Sequence, residues 1–383
     1  MSKPTEHLRH AERAELARLF RTGASVQMLA PRRIGKTWLM HKVADDLEAE
    51  GWLCIRIDVE GMRTEEEFLR ALCGEIEKNQ AVFKRVAAHA LQRFQQVLGG
   101  AFNGTLAQTI GQIDSKQFSE ALIESLNDSD TKTLILIDEI SLFVMERAKQ
   151  DADGTRALLY HLRKLRQKYE SVVWLFTGSI GLDVVSRDLQ LAGALIGLDT
   201  FPLEPFTAEA AHSFIEELCG ESQLQRPFDF GPGAFEFLAR ELGWLSPYYL
   251  KHIARLVRPS TPATADKRAI ANEADIGNAF AELLRPTYRA HFAAWEEHIE
   301  KNFAEERRER LRAILDILCE NVDGELEATL LSRFAGSHPN VPRRELTNLL
   351  TVLANDGFIE KPAERWRFQS GLLRRYWVEY MKA

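Results

Sequence analysis

A chain of 383 residues, 45% hydrophobic and 27% charged, has the composition of a soluble globular protein, and its length predicts two or three domains. The net charge of −7 argues against a globally basic nucleic-acid binder and leaves room only for a local basic patch. No apolar run is long enough to span a bilayer and the segment from Met1 to His10 is polar, so the expectation is a cytoplasmic protein with no membrane contact. Cys54, Cys73, Cys219 and Cys319 lie far apart without metal-ligand spacing, which predicts buried free thiols.

Residues 6–21 have helical spacing, with Leu8, Leu16, Leu19 and Phe20 apolar. The run from Val26 to Leu29 then reads as a short buried strand. It feeds Ala30-Pro31-Arg32-Arg33-Ile34-Gly35-Lys36-Thr37 and a helix that continues from Trp38. Strand, tight turn and helix in that order make a phosphate-binding loop, in which backbone N–H groups converge on an anion at the positive end of a helix. Matched to G-x-x-x-x-G-K-[ST], Lys36 reaches the β- and γ-phosphates and the Thr37 hydroxyl is a ligand of Mg2+. Ala30 replaces the first glycine and is compatible with the loop if its φ is negative. The stretch from Ala30 through Trp38 is therefore the predicted nucleotide contact.

Residues 52–58 form a second apolar strand, suited to a parallel sheet covered on both faces. Residues 64–126 are mostly helical, at 65–78, 81–98 and 117–126, with a glycine-containing loop at 99–104. Residues 133–139 are the most apolar strand and end in two carboxylates. At the carboxyl end of a central strand beside a phosphate loop, Asp138 can hold the Mg2+ shell, and Glu139 can orient and polarise the attacking water. A helix at 154–169 leads to a strand at 171–176 that ends in Thr177-Gly178-Ser179. A small polar residue there, Thr177 or Ser179, can contact the γ-phosphate or the lytic water, or simply cap the strand end. A fifth strand is placed at 198–203.

Residues 207–258 read as a small helical bundle, with Thr207 as a cap, Gly243 ending one helix and Pro247 opening the next. Residues 258–264 are the clearest linker or flexible loop. Residues 273–310 are helical, with aromatics at core spacing. Helical segments at 308–319, 326–334 and 343–356 precede two short strands at 357–360 and 365–368, which is the winged-helix plan. Arg343, Arg344, Arg365, Arg367, Arg374 and Arg375 are candidate DNA-phosphate contacts in a segment whose acidic residues nearly balance them.

This order of motifs resembles bacterial and archaeal P-loop ATPases of the AAA+/STAND type, in particular the archaeal-type ATPase family. The residues that carry it are Arg13-Ala14-Glu15-Leu16, the loop from Ala30 to Thr37, Leu136-Ile137-Asp138-Glu139, Thr177-Gly178-Ser179, Gly243 with Ser246-Pro247-Tyr248-Tyr249, and the stretch from Phe368 to Trp377. The similarity covers most of the chain. Its loop and acidic strand are specific, and its later motifs are suggestive. The resemblance implies an α/β fold with a parallel-sheet, AAA+-like P-loop NTPase core at 1–206, a helical lid at 207–260, a helical connector at 261–304 and a C-terminal winged-helix domain at 305–383.

The resemblance further implies ATP and Mg2+ as cofactors, Pro247 near the adenine, and the segment around Arg13 beside the base. The catalytic set would be Lys36, Asp138, Glu139 and Thr177, with Thr37 and Asp138 on the metal. The activity implied is an ATPase switch that couples nucleotide state to the winged helix. No sensor arginine is found near Ser246 and no arginine finger stands out; Arg187, which follows the fourth strand, is a candidate, with a solvated surface arginine as the commoner alternative. Since an arginine finger accelerates phosphoryl transfer by roughly 10³ to 10⁵, turnover without one would be slow or would depend on self-association or a partner. The alternative is a nucleotide-stabilised DNA-binding or oligomeric scaffold with little hydrolysis, its partners being DNA, a second copy or a protein effector.

Overall fold

The computed structural model describes residues 8–78, 110, 114–178, 191–220 and 227–382. The helix expected at 81–98, the loop at 99–104, Ser179 and Arg187 lie outside these residues. The chain divides into two compact units, one of residues 10–30 and 36–203, the other of residues 1–9, 31–35 and 204–383.

The first unit runs α1 (His10–Arg21), β1 (Ser25–Leu29), α2 (Lys36–Ala49), β2 (Leu53–Asp58), α3 (Glu65–Lys78), α4 (Ser115–Asn127), β3 (Thr133–Asp138), α5 (Ile140–Gln150), α6 (Ala152–Lys168), β4 (Val172–Thr177) and β5 (Leu198–Pro202). The five strands make one parallel sheet in the order β2-β3-β4-β1-β5. Every residue of β3 and β4 is buried. Successive side chains of a strand point to opposite faces, so both faces of the sheet are covered there. Met28 stands opposite Thr177 and Asp58 opposite Asp138, which brings the carboxyl ends of neighbouring strands to one edge. This is an α/β P-loop NTPase core. Helix α5 has no counterpart in the sequence reading, although Ile140, Phe143 and Val144 bury one face at i, i+3 and i+4. Asp114 caps α4 by accepting from Lys116 N and Gln117 N at 3.0 and 3.2 Å.

The second unit contains α7 (Ala208–Gly220), β6 (Phe228–Phe230), α8 (Ala234–Leu242), α9 (Pro247–Leu256), β7 (Ala269–Ala271), α10 (Glu273–Leu283), α11 (Ala290–Asn302), α12 (Glu305–Cys319), β8 (Glu325–Leu326), α13 (Glu327–Ser337), α14 (Arg343–Asn355), β9 (Ile359–Glu360), β10 (Arg365–Phe368) and α15 (Gly371–Tyr376). The continuous helical stretch expected at 273–310 is broken: α10 stops before Pro286, which opens a single 3-10 turn before α11. The segment expected as a linker at 258–264 is tied down, because Ser260 N and Oγ donate to Asp275 Oδ2 at 3.0 and 2.9 Å and Thr261 bridges Ile270. The strands at the end of the chain form a three-stranded antiparallel sheet in the order β8-β10-β9, beside α12 and α14.

An aromatic core joins these parts of the second unit. Trp295 Nε1 donates to the hydroxyl of the fully buried Tyr249 at 2.6 Å, and its ring meets Phe358 edge-on at 4.8 Å. Phe292 stacks on Tyr376 at 4.2 Å. Truncating one such side chain to alanine typically costs about 3–5 kcal/mol. All four cysteines are buried and free. No helix among the described residues is long and apolar enough to cross a membrane.

Candidate nucleotide site

In the first unit, β1 ends at the loop and Lys36 opens α2. Lys36 is buried, and its Nζ donates to the carbonyl of Ala30 at 3.0 Å. Thr37 Oγ1 donates to Asp138 Oδ2 at 2.7 Å, and Thr177 Oγ1 donates to Oδ1 of the same carboxylate. The N–H of Glu139 also donates to Oδ1, at 3.0 Å. Lys36, Thr37, Asp138 and Thr177 therefore come from three neighbouring strand ends to one edge of the sheet, where ligands bind open α/β sheets. Glu139 adopts a left-handed backbone with φ of 57°, uncommon for a residue with a side chain and costly enough to need surrounding support. Its side chain does not cap α5. Trp38, in the first turn of α2, is 38% exposed.

Arg13 makes a two-pronged pair with Asp46 of α2, its Nε and Nη2 donating at 2.9 and 2.5 Å. The hydrogen bond to Asp46 is the main reason its pKa is raised. That placement ties α1 to α2.

Residues 31–35 of the loop belong to the second unit. Arg33 and Gly35 both have positive φ, 71° and 93°, on either side of the fully buried Ile34. Ser246 Oγ donates to the Arg33 carbonyl at 2.6 Å, and the Arg33 guanidinium lies 4.1 Å over the ring of Tyr248. A Cβ on Gly35 would stand 3.8 Å from Pro247 Cγ, which places that proline beside the loop. A Cβ on Gly357 would fall 2.4 Å from Pro31 Cβ, so the turn after α14 packs directly on the loop proline. Arg32 is half-buried. Tyr248 and His291 Nδ1 share a hydrogen bond at 2.8 Å, and the rings of His291 and His252 approach to 3.9 Å. Burial, then the Arg33 charge, lowers the His291 pKa.

Two residues of this cluster carry roles absent from the sequence reading. Arg9, 3% exposed, donates to the carbonyls of Ile34 and Glu204 at 3.2 and 2.9 Å, with its guanidinium 4.7 Å over Phe206. Ser246 occupies the N-cap position of α9, where serine ordinarily caps, yet makes no side-chain cap bond because its hydroxyl goes to Arg33. The serine before Pro247 was the one available signal; Arg9 has none. A cavity of about 360 Å³ in the second unit, lined by residues including His212, Glu216, Asp229 and Arg268, contains none of these groups.

The oxygen pair of Thr37 and Asp138 fits Mg2+, a hard cation that takes one or two protein ligands and completes its octahedron with waters and phosphates. Among the described residues no group of three or more His, Cys, Asp or Glu is placed to hold a metal ion.

Residues 22–185 match the family model of the AAA domain. The AAA match takes in the whole loop, Asp138-Glu139 and Thr177. Among solved structures, the chain is similar to the Walker-type ATPase PABY2304 of Pyrococcus abyssi, with 16% identity, 96% of this chain and 95% of that chain covered, and a TM-score of 0.67. It is also similar to the ORC2 protein of Aeropyrum pernix, solved as ADPNP–ADP complexes, with 13% identity, 99% and 94% coverage and a TM-score of 0.55. At these identities the likeness concerns the fold. No curated protein matches the chain in sequence.

Proposed function

We propose that the protein binds ATP with Mg2+ and hydrolyses it, acting as a switch whose nucleotide state is passed to the C-terminal segment. The observation that carries this reading is the meeting of Thr37 and Thr177 on the two oxygens of Asp138, whose strand β3 is separated by β4 alone from the strand that feeds the loop before Lys36. Lys36 would bind the β- and γ-phosphates, Thr37 and Asp138 would hold Mg2+, and Glu139 would orient the attacking water, with Thr177 beside the γ-phosphate. Bound Mg2+ supplies charge neutralisation on the phosphate oxygens. Pro247 would border the adenine, while the Arg13 guanidinium is engaged by Asp46. Coupling is supported by the grouping of loop residues 31–35 with the C-terminal segment, including the Gly357 contact on Pro31. Without an arginine finger, turnover would be slow or partner-dependent. The test is ATP binding by titration calorimetry: Lys36→Ala should abolish it, and undiminished binding would overturn the assignment.

A second reading, duplex DNA binding through a winged helix at 305–383, draws on helix α14. Arg344, Thr347 and Asn348 are exposed there, residue types that contact phosphates and base edges. Against it, Glu327 pairs with Lys361 at 2.6 Å and approaches Arg343 at 3.9 Å, which offsets much of the local basic charge. Salt-dependent binding of duplex DNA, weakened by Arg343→Glu with Arg344→Glu, would support this reading; no binding at low salt would remove it.

A further inference from the structure

We propose that Arg9 and Ser246 are positioning residues that shape the anion-binding face of the loop by fastening two of its carbonyls from the outside. The inference rests on the nucleotide reading above and adds how the loop comes to present its donors. None of the described peptide bonds is cis, and in a trans peptide the C=O and the following N–H point in opposite directions. Ser246 Oγ holds the Arg33 carbonyl at 2.6 Å, which directs the Ile34 N–H the other way. Arg9 Nη2 holds the next carbonyl, that of Ile34, at 3.2 Å, and so directs the Gly35 N–H.

Among the described residues the Gly35 N–H donates to no protein acceptor, and the Ile34 N–H does no more than close the turn over Arg32 and Arg33. Positive φ at Arg33 and Gly35, flanking Ile34, is the alternation of backbone handedness that makes successive N–H groups converge on an anion. Both clamps are built in rather than incidental. Ser246 is fully buried and leaves the helix it should cap, and Arg9 is a buried cation steadied by Phe206 and the Glu204 carbonyl. Donors fixed before the anion arrives need no reorganisation to bind it, which is where their effect on affinity comes from.

The clamps act on phosphate, not on the base, and that is the property to measure. Titration calorimetry with sodium tripolyphosphate and with ATP would be run on the full chain of wild type, Ser246→Ala, Ser246→Thr and Arg9→Gln. Ser246→Ala and Arg9→Gln are expected to weaken both ligands by the same factor, about 10- to 100-fold. Ser246→Thr, which keeps the hydroxyl, should restore both. If Arg9→Gln does not fold, the Ser246 pair carries the test alone. Unchanged tripolyphosphate affinity in Ser246→Ala, with or without a loss confined to ATP, would overturn the inference while leaving nucleotide binding intact. Wild type that binds neither ligand would overturn the nucleotide reading and this inference together.

Discussion

Thr37 and Asp138, 101 residues apart in sequence, are joined by a 2.7 Å hydrogen bond from the threonine hydroxyl to the carboxylate. Thr177 takes the other oxygen, so this buried acid is oriented from two sides before any ligand is considered. Replacing Thr177 with valine keeps the side-chain shape and removes one donor, leaving Asp138 with the Thr37 hydroxyl and the Glu139 N–H. ATP affinity should then stay within about threefold while turnover falls tenfold or more, the range expected when an active-site hydrogen bond is lost. Thr177→Ser should keep most of the activity. Steady-state kinetics on the two variants checks this, and equal activity in Thr177→Val and wild type would remove Thr177 from the mechanism.

Gly357 has φ of +82°, and an added Cβ would lie 2.4 Å from Pro31 Cβ. Gly357→Ala should therefore lose at least about 2 kcal/mol of stability, from left-handed backbone strain together with the clash. Gly336, inside helix α13, has open space where a methyl would be added and an ordinary φ, so Gly336→Ala should gain about 0.5–1 kcal/mol. Urea unfolding midpoints of the two variants should move in opposite directions.

His252 carries the third prediction. Burial first, then the charges of His291, Arg255, Lys251 and Arg33, bring its pKa down to about 4. Between pH 4 and the unfolded value near 6.5 the unfolded chain binds more protons, so this group's contribution to stability is complete above 6.5 and declines as pH falls through that window. Allowing for partial solvent screening, the loss is about 2 kcal/mol. His252→Gln should flatten the wild-type fall in melting temperature between pH 7 and 5. An identical slope in both proteins would contradict the assignment.

What could be read from the sequence was whatever is contiguous along it. The loop from Ala30 to Thr37 and the strand ending in Asp138-Glu139 each state their chemistry within eight residues, and an apolar run fixes their place in a parallel sheet. Arg9 could not be read because its acceptors lie 25 and 195 residues away and no periodicity marks it. Ser246 invited the local reading of a helix cap, and a partner 213 residues distant overrode that preference. Helix α5 was hidden because Asp138-Glu139 read as the end of the strand, and the apolar stretch from Ile140 to Met145, broken only by Ser141, is too short to show a helical period clearly. Strands β6 and β7, three residues each, are too short to show a period and exist through their pairing with each other.

The central claim is that Glu139 prepares water for attack on ATP bound at Lys36 and Thr37. Its most direct test is ATP binding and single-turnover hydrolysis measured side by side on wild type and Glu139→Gln with Mg2+. Glutamine keeps the size of the side chain and removes the charge that polarises water. The account predicts binding within about threefold of wild type and hydrolysis slowed at least about 100-fold. Hydrolysis in Glu139→Gln at the wild-type rate would contradict it.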